Sequence, residues 1–207
     1  MDSAHRQPLR LLVLSALIVA IMACRFLPYA LNASNPLQDW LWGFTPLWAV
    51  MLFGVAHFRP LWLGWAVPLA AMLLSDALLH FSGLAPTTLT GRLLIYGLML
   101  ALGGLGLVVR CWRTVPVIAG AGLTSALLFF LTSNFLVWLN SSTGLVSGKG
   151  LNYEPTLAGL LHCYAMALPF LRNDLLGTGF FCLVLFGGFA LIERHILAAN
   201  HAAMETA

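Results

Sequence analysis

Long apolar stretches separated by very few charged residues constrain this chain more than any other feature of its sequence. Of the 207 residues, 60% are hydrophobic and 8% are charged, with ten Lys and Arg and seven Asp and Glu. A soluble domain carries about 25% charged residues, so this chain has too little charge to cover a water-facing surface. The composition excludes a soluble globule, a disordered chain and a nucleic-acid binder. It predicts an integral protein of the lipid bilayer.

Pro, Gly and charged residues divide the chain into six predicted membrane spans within one domain, residues 1–207. A helix needs about 20 mainly apolar residues to cross a bilayer. The first span follows Arg6 and Arg10 and so resembles a signal peptide, but its apolar run continues to Tyr29, and we expect it to be retained. The six spans are predicted near residues 10–29, 41–58, 61–81, 92–110, 115–139 and 175–194.

The connection between the last two spans contains one more apolar segment, near residues 156–170. At about 15 residues it is short for a full crossing, and it carries His162, Tyr164 and Pro169. An interfacial or re-entrant helix explains it better. The predicted fold is therefore an all-α integral membrane protein with six transmembrane helices and an additional helix near 156–170.

Lys and Arg are distributed unequally between the two sets of span ends. One side collects Arg6, Arg10, Arg59, Arg110, Arg113 and Arg194. The other collects Arg25, Arg92, Lys149 and Arg172. Positive residues concentrate on the cytoplasmic side of membrane proteins, so we expect both termini in the cytoplasm. Most unusual polar side chains then lie on the outer side and predict an outward-facing pocket there: Asp39, Asp76, His80, Asn134, Trp138, Asn140, Tyr153, Glu154, His162 and Asp174.

Asp76 and His80 lie four residues apart in the third predicted span and so share one helical face. A carboxylate at this depth is costly unless it is paired or faces a polar cavity. Asp76 could brace a neighbouring helix by pairing with Arg92. Alternatively, it could orient His80, because a metal-binding imidazole is often held by a carboxylate on its second nitrogen.

Asn134 and Trp138 share a face at the end of the fifth predicted span. An amide and an aromatic ring together suit a large, flat, amide-bearing ligand, although Asn134 could equally make an interhelical hydrogen bond. Ala16 and Ala20 of the first span form a small-residue pattern that lets another helix approach closely. The chain has no HExxH, GxSxG or Walker A motif, which excludes a self-powered ATPase and argues against a zinc protease.

The order of short motifs resembles the BtuM family of bacterial cobalamin (corrinoid) transporters. The series comprises Ala16 and Ala20, Phe44-Thr45-Pro46, Ser75-Asp76, Thr132-Ser133-Asn134-Phe135 with Trp138, Tyr153, and the segment from Tyr164 to Pro169-Phe170. That family is similar to the substrate-binding S-components of energy-coupling factor (ECF) transporters. The resemblance implies a bacterial inner-membrane protein with a periplasmic cavity for cobalamin. It also implies that Ala16 and Ala20 dock on a coupling subunit that works with ATPases.

The same resemblance implies an axial ligand to cobalt just after Ser75-Asp76, where the family offers a cysteine thiolate. This chain has His80 there, whose imidazole can still ligate the cobalt of cobalamin. The departure argues against thiolate-assisted decyanation. We therefore predict a cobalamin uptake protein rather than an enzyme, with Asp76 supporting His80. The corrin ring and amides would be contacted by Asn134, Trp138, Tyr153, His162 and Tyr164.

Two other functions fit the same residues. The first keeps the architecture and changes the substrate to another small vitamin or a metal ion. The second is a membrane-embedded enzyme that modifies the bound corrinoid, which would show sustained turnover instead of stoichiometric binding.

Overall fold

The computed structural model describes residues 3–31, 35, 37–84, 89–143 and 153–195, without the side chains of residues 3–12, 89–91, 142 and 143. Within these ranges the chain is helical between short turns and forms no strand. The all-α fold class predicted from the composition is confirmed. The helices are α1 (Ser3–Ala30), α2 (Leu37–Leu41), α3 (Leu47–His57), α4 (Leu63–Phe81), α5 (Leu89–Gly103), α6 (Leu105–Cys111), α7 (Val115–Thr143) and α8 (Leu157–Cys182).

Five helical stretches of the described chain are long and apolar enough to cross a membrane. They correspond in position to five of the six predicted spans, so the chain is a multi-pass membrane protein. Many of their large apolar side chains are exposed, as contact with lipid requires. The stretches are Val13–Ala30, Leu63–Phe81, Arg92–Cys111, Val115–Ser141 and Leu157–His195.

The separate interfacial or re-entrant helix predicted near 156–170 is not formed. This segment is the first part of α8, which continues beyond Cys182 through a π-helical turn, Leu183–Gly187, and remains helical to His195. Pro169 lies inside α8 and does not end it. The resulting helical stretch has 39 residues.

The polar residues 172–174 lie inside this continuous helix, where side-chain contacts with other elements satisfy two of them. Asn173 donates hydrogen bonds to the carbonyl oxygens of Asp39 and Trp42, at 2.6 and 2.9 Å. The guanidinium of Arg172 lies 3.8 Å from the ring centre of Trp40. Because α2 and the turn after it satisfy these polar groups, they do not have to leave the helix to reach water.

The apolar run predicted as the second span, near 41–58, forms only the short helix α3. Pro46 is the N-cap of α3. With 11 residues at 1.5 Å each, α3 is about 17 Å long, roughly half the thickness of the hydrocarbon core. All ten residues from Leu47 to Ala56 are buried. Protein therefore surrounds α3, and lipid does not reach it.

The close packing of α3 against α4 depends on two glycines. Gly54 of α3 lies against Gly64 of α4, where a Cβ atom on Gly64 would overlap the backbone of Gly54 and Val55. Small residues at such a crossing let two helices approach closely. The α3–α4 pair is therefore a tight antiparallel hairpin, joined by the short connection at Arg59-Pro60.

Two arginines cover the C-terminal end of α3. Arg110 donates a hydrogen bond to the carbonyl oxygen of Val55 at 3.0 Å, and Arg113 donates one to that of Ala56 at 3.2 Å. The last carbonyl groups of a helix lack intrahelical donors, and a positive charge there complements the helix dipole. One end of α3 is thus closed by charged side chains.

Candidate functional site

A cavity of about 240 Å³ lies at the other end of α3, between the start of this helix, α7 and α8. The cavity is present because α3 is short. α7 and α8 extend beyond the first residue of α3 and leave a space between them there. The chain turns away at Gly43, whose φ of 84° is one that glycine adopts without strain. The lining residues are Gly43, Thr45, Leu47, Trp48, Phe129, Phe130, Ser133, Asn134, Ala167, Phe170, Leu171 and Asp174.

Most of the cavity wall is apolar and aromatic. Trp48 is 2% exposed, and its ring centre lies 5.0 Å from that of Phe129 at an interplanar angle of 57°. Four polar side chains interrupt this wall: Thr45, Ser133, Asn134 and Asp174. An apolar cavity with a few converging polar groups is the usual form of a small-molecule site.

Asp174 contributes the only charged side chain among these lining residues. Its Oδ2 atom accepts a hydrogen bond from Nε1 of Trp48 at 3.3 Å. Within the described residues, Arg25 and Asp76 form the one ion pair. Asp174 therefore has no cationic partner among those residues. A carboxylate within an apolar helix that faces a cavity without a counter-ion is available to a ligand.

Asn134 and Ser133 present mainly acceptors to the cavity because each directs a donor to the backbone. The amide nitrogen of Asn134 donates to the carbonyl oxygen of Phe130 at 2.8 Å, and the Ser133 hydroxyl is directed to the same oxygen at 3.4 Å. The Asn134 Oδ1 atom and the Ser133 lone pairs have no such bond within the described chain. Asn134 is the one predicted binding residue that lines this cavity.

Asp76 belongs to a different polar cluster, which joins α1, α4 and α5. One carboxylate oxygen accepts from Arg25 at 2.5 Å, and the other accepts from the Tyr96 hydroxyl at 2.6 Å. A brace between helices was one of the two roles predicted for Asp76. The partner found for this brace is Arg25 of the first helix, where the sequence suggested Arg92.

His80 lies at the end of α4 with an exposed side chain and packs edge-on against the Phe81 ring. Both oxygens of Asp76 face Arg25 and Tyr96, and the structure forms no hydrogen bond between Asp76 and His80. The described residues contain no group of three His, Cys, Asp or Glu side chains placed to hold a metal ion. His80 does not line the cavity.

The other predicted contact residues lie where the C-terminal part of α7 meets the start of α8. Trp138 donates to the carbonyl oxygen of Glu154 at 2.9 Å, and the Tyr164 hydroxyl donates to that of Leu131 at 2.8 Å. The rings of Tyr153 and His162 meet edge-on, with centres 5.7 Å apart. Burial raises the pKa of the Tyr153 phenol, which keeps its proton. Trp138, His162 and Tyr164 belong to the helices that form the cavity, but none of the four residues is part of its lining.

Sequence reasoning placed Asp174 on the outer side without giving it a role, quoted Thr45 and Ser133 only as parts of short motifs, and did not single out Trp48. One signal could have found Asp174. No basic residue lies three or four positions from it in the sequence, so it has no intrahelical ion-pair partner. Trp48 carried no such signal, since its role depends on where α3 begins.

Comparisons with known proteins place the chain in a family but do not supply an activity. The model described as "Family of unknown function (DUF6580)" matches residues 5–202. No curated protein and no solved structure matches the chain. The matched range includes both the cavity and the Arg25–Asp76 pair.

Proposed function

Since the chain belongs to the DUF6580 family, whose function is unknown, we propose a function from its own site. The protein is a membrane-embedded binding protein for the uptake of a small organic molecule, which it holds in the cavity between α3, α7 and α8. The observation that carries this proposal is the uncompensated Asp174 in a mostly aromatic cavity. A binding role needs these features, whereas a purely structural subunit does not.

The position of the cavity supports transport in particular. Ionisable side chains inside membrane segments are rare and usually mark substrate or ion pathways. Helices that begin or end within the membrane are found where a binding site interrupts a span. α3 is such a half-length helix, and its first residues, Leu47 and Trp48, line the cavity.

We extend the proposal to an S-component-like architecture. The five long helices and the short α3 together would make the six predicted helices. The protein would lie in a bacterial inner membrane, with both termini in the cytoplasm. On α1, Ala16 is exposed and Ala20 is half-buried. This leaves their face accessible to a coupling subunit that works with ATPases.

Cobalamin is the second candidate ligand. The exposed imidazole of His80 favours it, because an axial ligand to cobalt must be accessible. Two observations favour a smaller molecule in the cavity. A corrin ring with its nucleotide arm is much larger than 240 Å³, and His80 lies outside the lining. Cobalamin would therefore require a site around His80 or a wider opening than this structure has.

The proposal is tested by blocking the cavity. The full chain is expressed, purified in detergent and extracted, and small molecules that copurify are identified by mass spectrometry. Ala167 is buried and lines the cavity, so Ala167→Leu fills part of it. Ala165 is exposed on the same helix, and Ala165→Leu is the matched control.

We expect a molecule to copurify with the wild type and with Ala165→Leu and to be lost from Ala167→Leu. Retention of that molecule by Ala167→Leu, or its absence from the wild type, would contradict the proposal.

Cobalamin is tested separately by the visible spectrum of protein purified from cobalamin-supplemented cells. If His80 ligates cobalt, His80→Ala shifts the spectrum or removes the corrinoid. A colourless wild-type preparation would exclude cobalamin, and an unchanged spectrum in the variant would exclude His80 as its ligand.

A further inference from the structure

We infer that the ligand of this cavity is a small planar cation, such as an aromatic amidine, whose N–H groups bind Asp174. The inference rests on the proposed function and adds the chemical class of the substrate. It follows from which hydrogen-bonding groups of the cavity wall are still free.

The free polar groups of the wall are mainly acceptors. The Trp48 N–H is directed to Asp174, and one N–H of Asn134 and the Ser133 hydroxyl are directed to the carbonyl oxygen of Phe130. The acceptors that remain are the second oxygen of Asp174, Oδ1 of Asn134 and the hydroxyl oxygen of Ser133. The donors that remain are the second N–H of Asn134 and the Thr45 hydroxyl, and neither is charged. A ligand that satisfies the carboxylate and the other acceptors must bring most of the donors itself.

The apolar part of the wall favours a flat ring. Trp48, Phe129, Phe130 and Phe170 all line the cavity, and aromatic faces attract cations as well as other rings. A planar cation therefore gains from the aromatic wall and from the carboxylate together. A long aliphatic amine would use only the carboxylate.

The N-terminal end of α3 is the one feature that favours the opposite charge. The first backbone N–H groups of a helix attract anions, and Pro46 provides no side-chain cap for them. Asp174, however, already places a carboxylate beside Trp48 in the first turn. An anionic ligand would have to approach that carboxylate, which disfavours it.

Three probes of nearly identical size separate these charges: benzamidine, which is a cation, neutral benzamide, and anionic benzoate. Each is titrated calorimetrically into the detergent-purified full chain. We expect benzamidine to bind roughly tenfold or more tightly than benzamide, as a charge-assisted hydrogen bond implies, and benzoate to bind most weakly. Asp174→Asn should reduce benzamidine to the affinity of benzamide. The control Asp39→Asn removes an exposed carboxylate on α2 and should leave the preference intact.

The outcomes separate the two proposals. If benzamide or benzoate binds at least as tightly as benzamidine, and Ala167→Leu abolishes that binding, the cavity binds small molecules but the ligand is not a cation. If benzamidine keeps its preference in Asp174→Asn, Asp174 is not its partner and the inference is also wrong. If none of the three probes binds but a molecule copurifies with the wild type and is lost from Ala167→Leu, the inference is wrong and the proposed function stands. If none of the probes binds and nothing copurifies, both fail.

Discussion

Asp76 and Asp174 are both carboxylates within long apolar helices, but their surroundings differ. Asp76 is held between Arg25 and Tyr96, so one oxygen faces a positive charge and the other a hydroxyl. Asp174 has one long hydrogen bond from an indole and otherwise faces an aromatic cavity. The Asp76 carboxylate is fully engaged in contacts between helices, whereas the Asp174 carboxylate is still available to a ligand. A charged side chain in a membrane helix thus indicates a binding site only when no other side chain of the protein neutralises it.

The largest effect that tests this comparison is expected from Asp76→Asn. Removing the carboxylate leaves the Arg25 charge without its partner, and breaking this half-buried ion pair from one side should cost about 2 kcal/mol, less than for a fully buried pair. For a chain of this size such a loss lowers the melting temperature by about 5 °C, which thermal unfolding in detergent measures. The double variant Arg25→Gln/Asp76→Asn removes both charges and should recover most of the loss. A single variant that melts like the wild type would show that the pair does not brace the helices.

Asp174→Asn is expected to change the stability of the ligand-free protein by a smaller amount and in the opposite direction, towards a higher melting temperature. The carboxylate has no cationic partner in the described chain, so replacing it with a neutral side chain of equal size should stabilise the fold by about 1 kcal/mol. The same thermal measurement, made after the ligand has been dialysed away, checks this. If the melting temperature falls as far as in Asp76→Asn, Asp174 is as structurally engaged as Asp76, and the comparison fails.

Tyr96→Phe is expected to have the smallest effect on the comparison between the two carboxylates. It removes one hydrogen bond to Asp76 but keeps the ion pair, so we expect a loss of about 1 kcal/mol. Ligand binding should stay unchanged, because Tyr96 does not line the cavity. A loss of binding in this variant would link the two clusters, which the structure keeps apart.

The long helices were predictable because hydropathy determines which segments cross a bilayer. The third span, predicted near 61–81, is found at Leu63–Phe81, and the fifth, near 115–139, extends to Thr143. The two errors have different causes. The run 41–58 is mostly apolar, but Gly43 and Pro46 delay the helix to Leu47. The helix near 156–170 and the span near 175–194 were predicted as separate elements, but tertiary contacts keep them continuous, because α2 and the turn after it satisfy Asn173.

The site was less predictable than the fold. Asn134 was identified because an amide stands out in an apolar helix, and it lines the cavity. Trp48 was not identified, because the chain has seven tryptophans and nothing in the local sequence distinguishes this one. Its partner Asp174 lies 126 positions away in the sequence. The side chains of the cavity wall come from three separate helices, and the packing of these helices brings them together. The periodicity within one helix therefore does not reveal them.

The short length of α3 also has a consequence for how the protein is made. A helix of 11 residues is too short to be retained in the membrane as an independent span during synthesis. We therefore expect α3 to enter the bilayer together with α4, as one hairpin joined by residues 58–62. Until α7 and α8 are synthesised, the face of α3 that they later cover stays open. The chain thus completes its buried central helix late, and the cavity forms only when the last helix is in place.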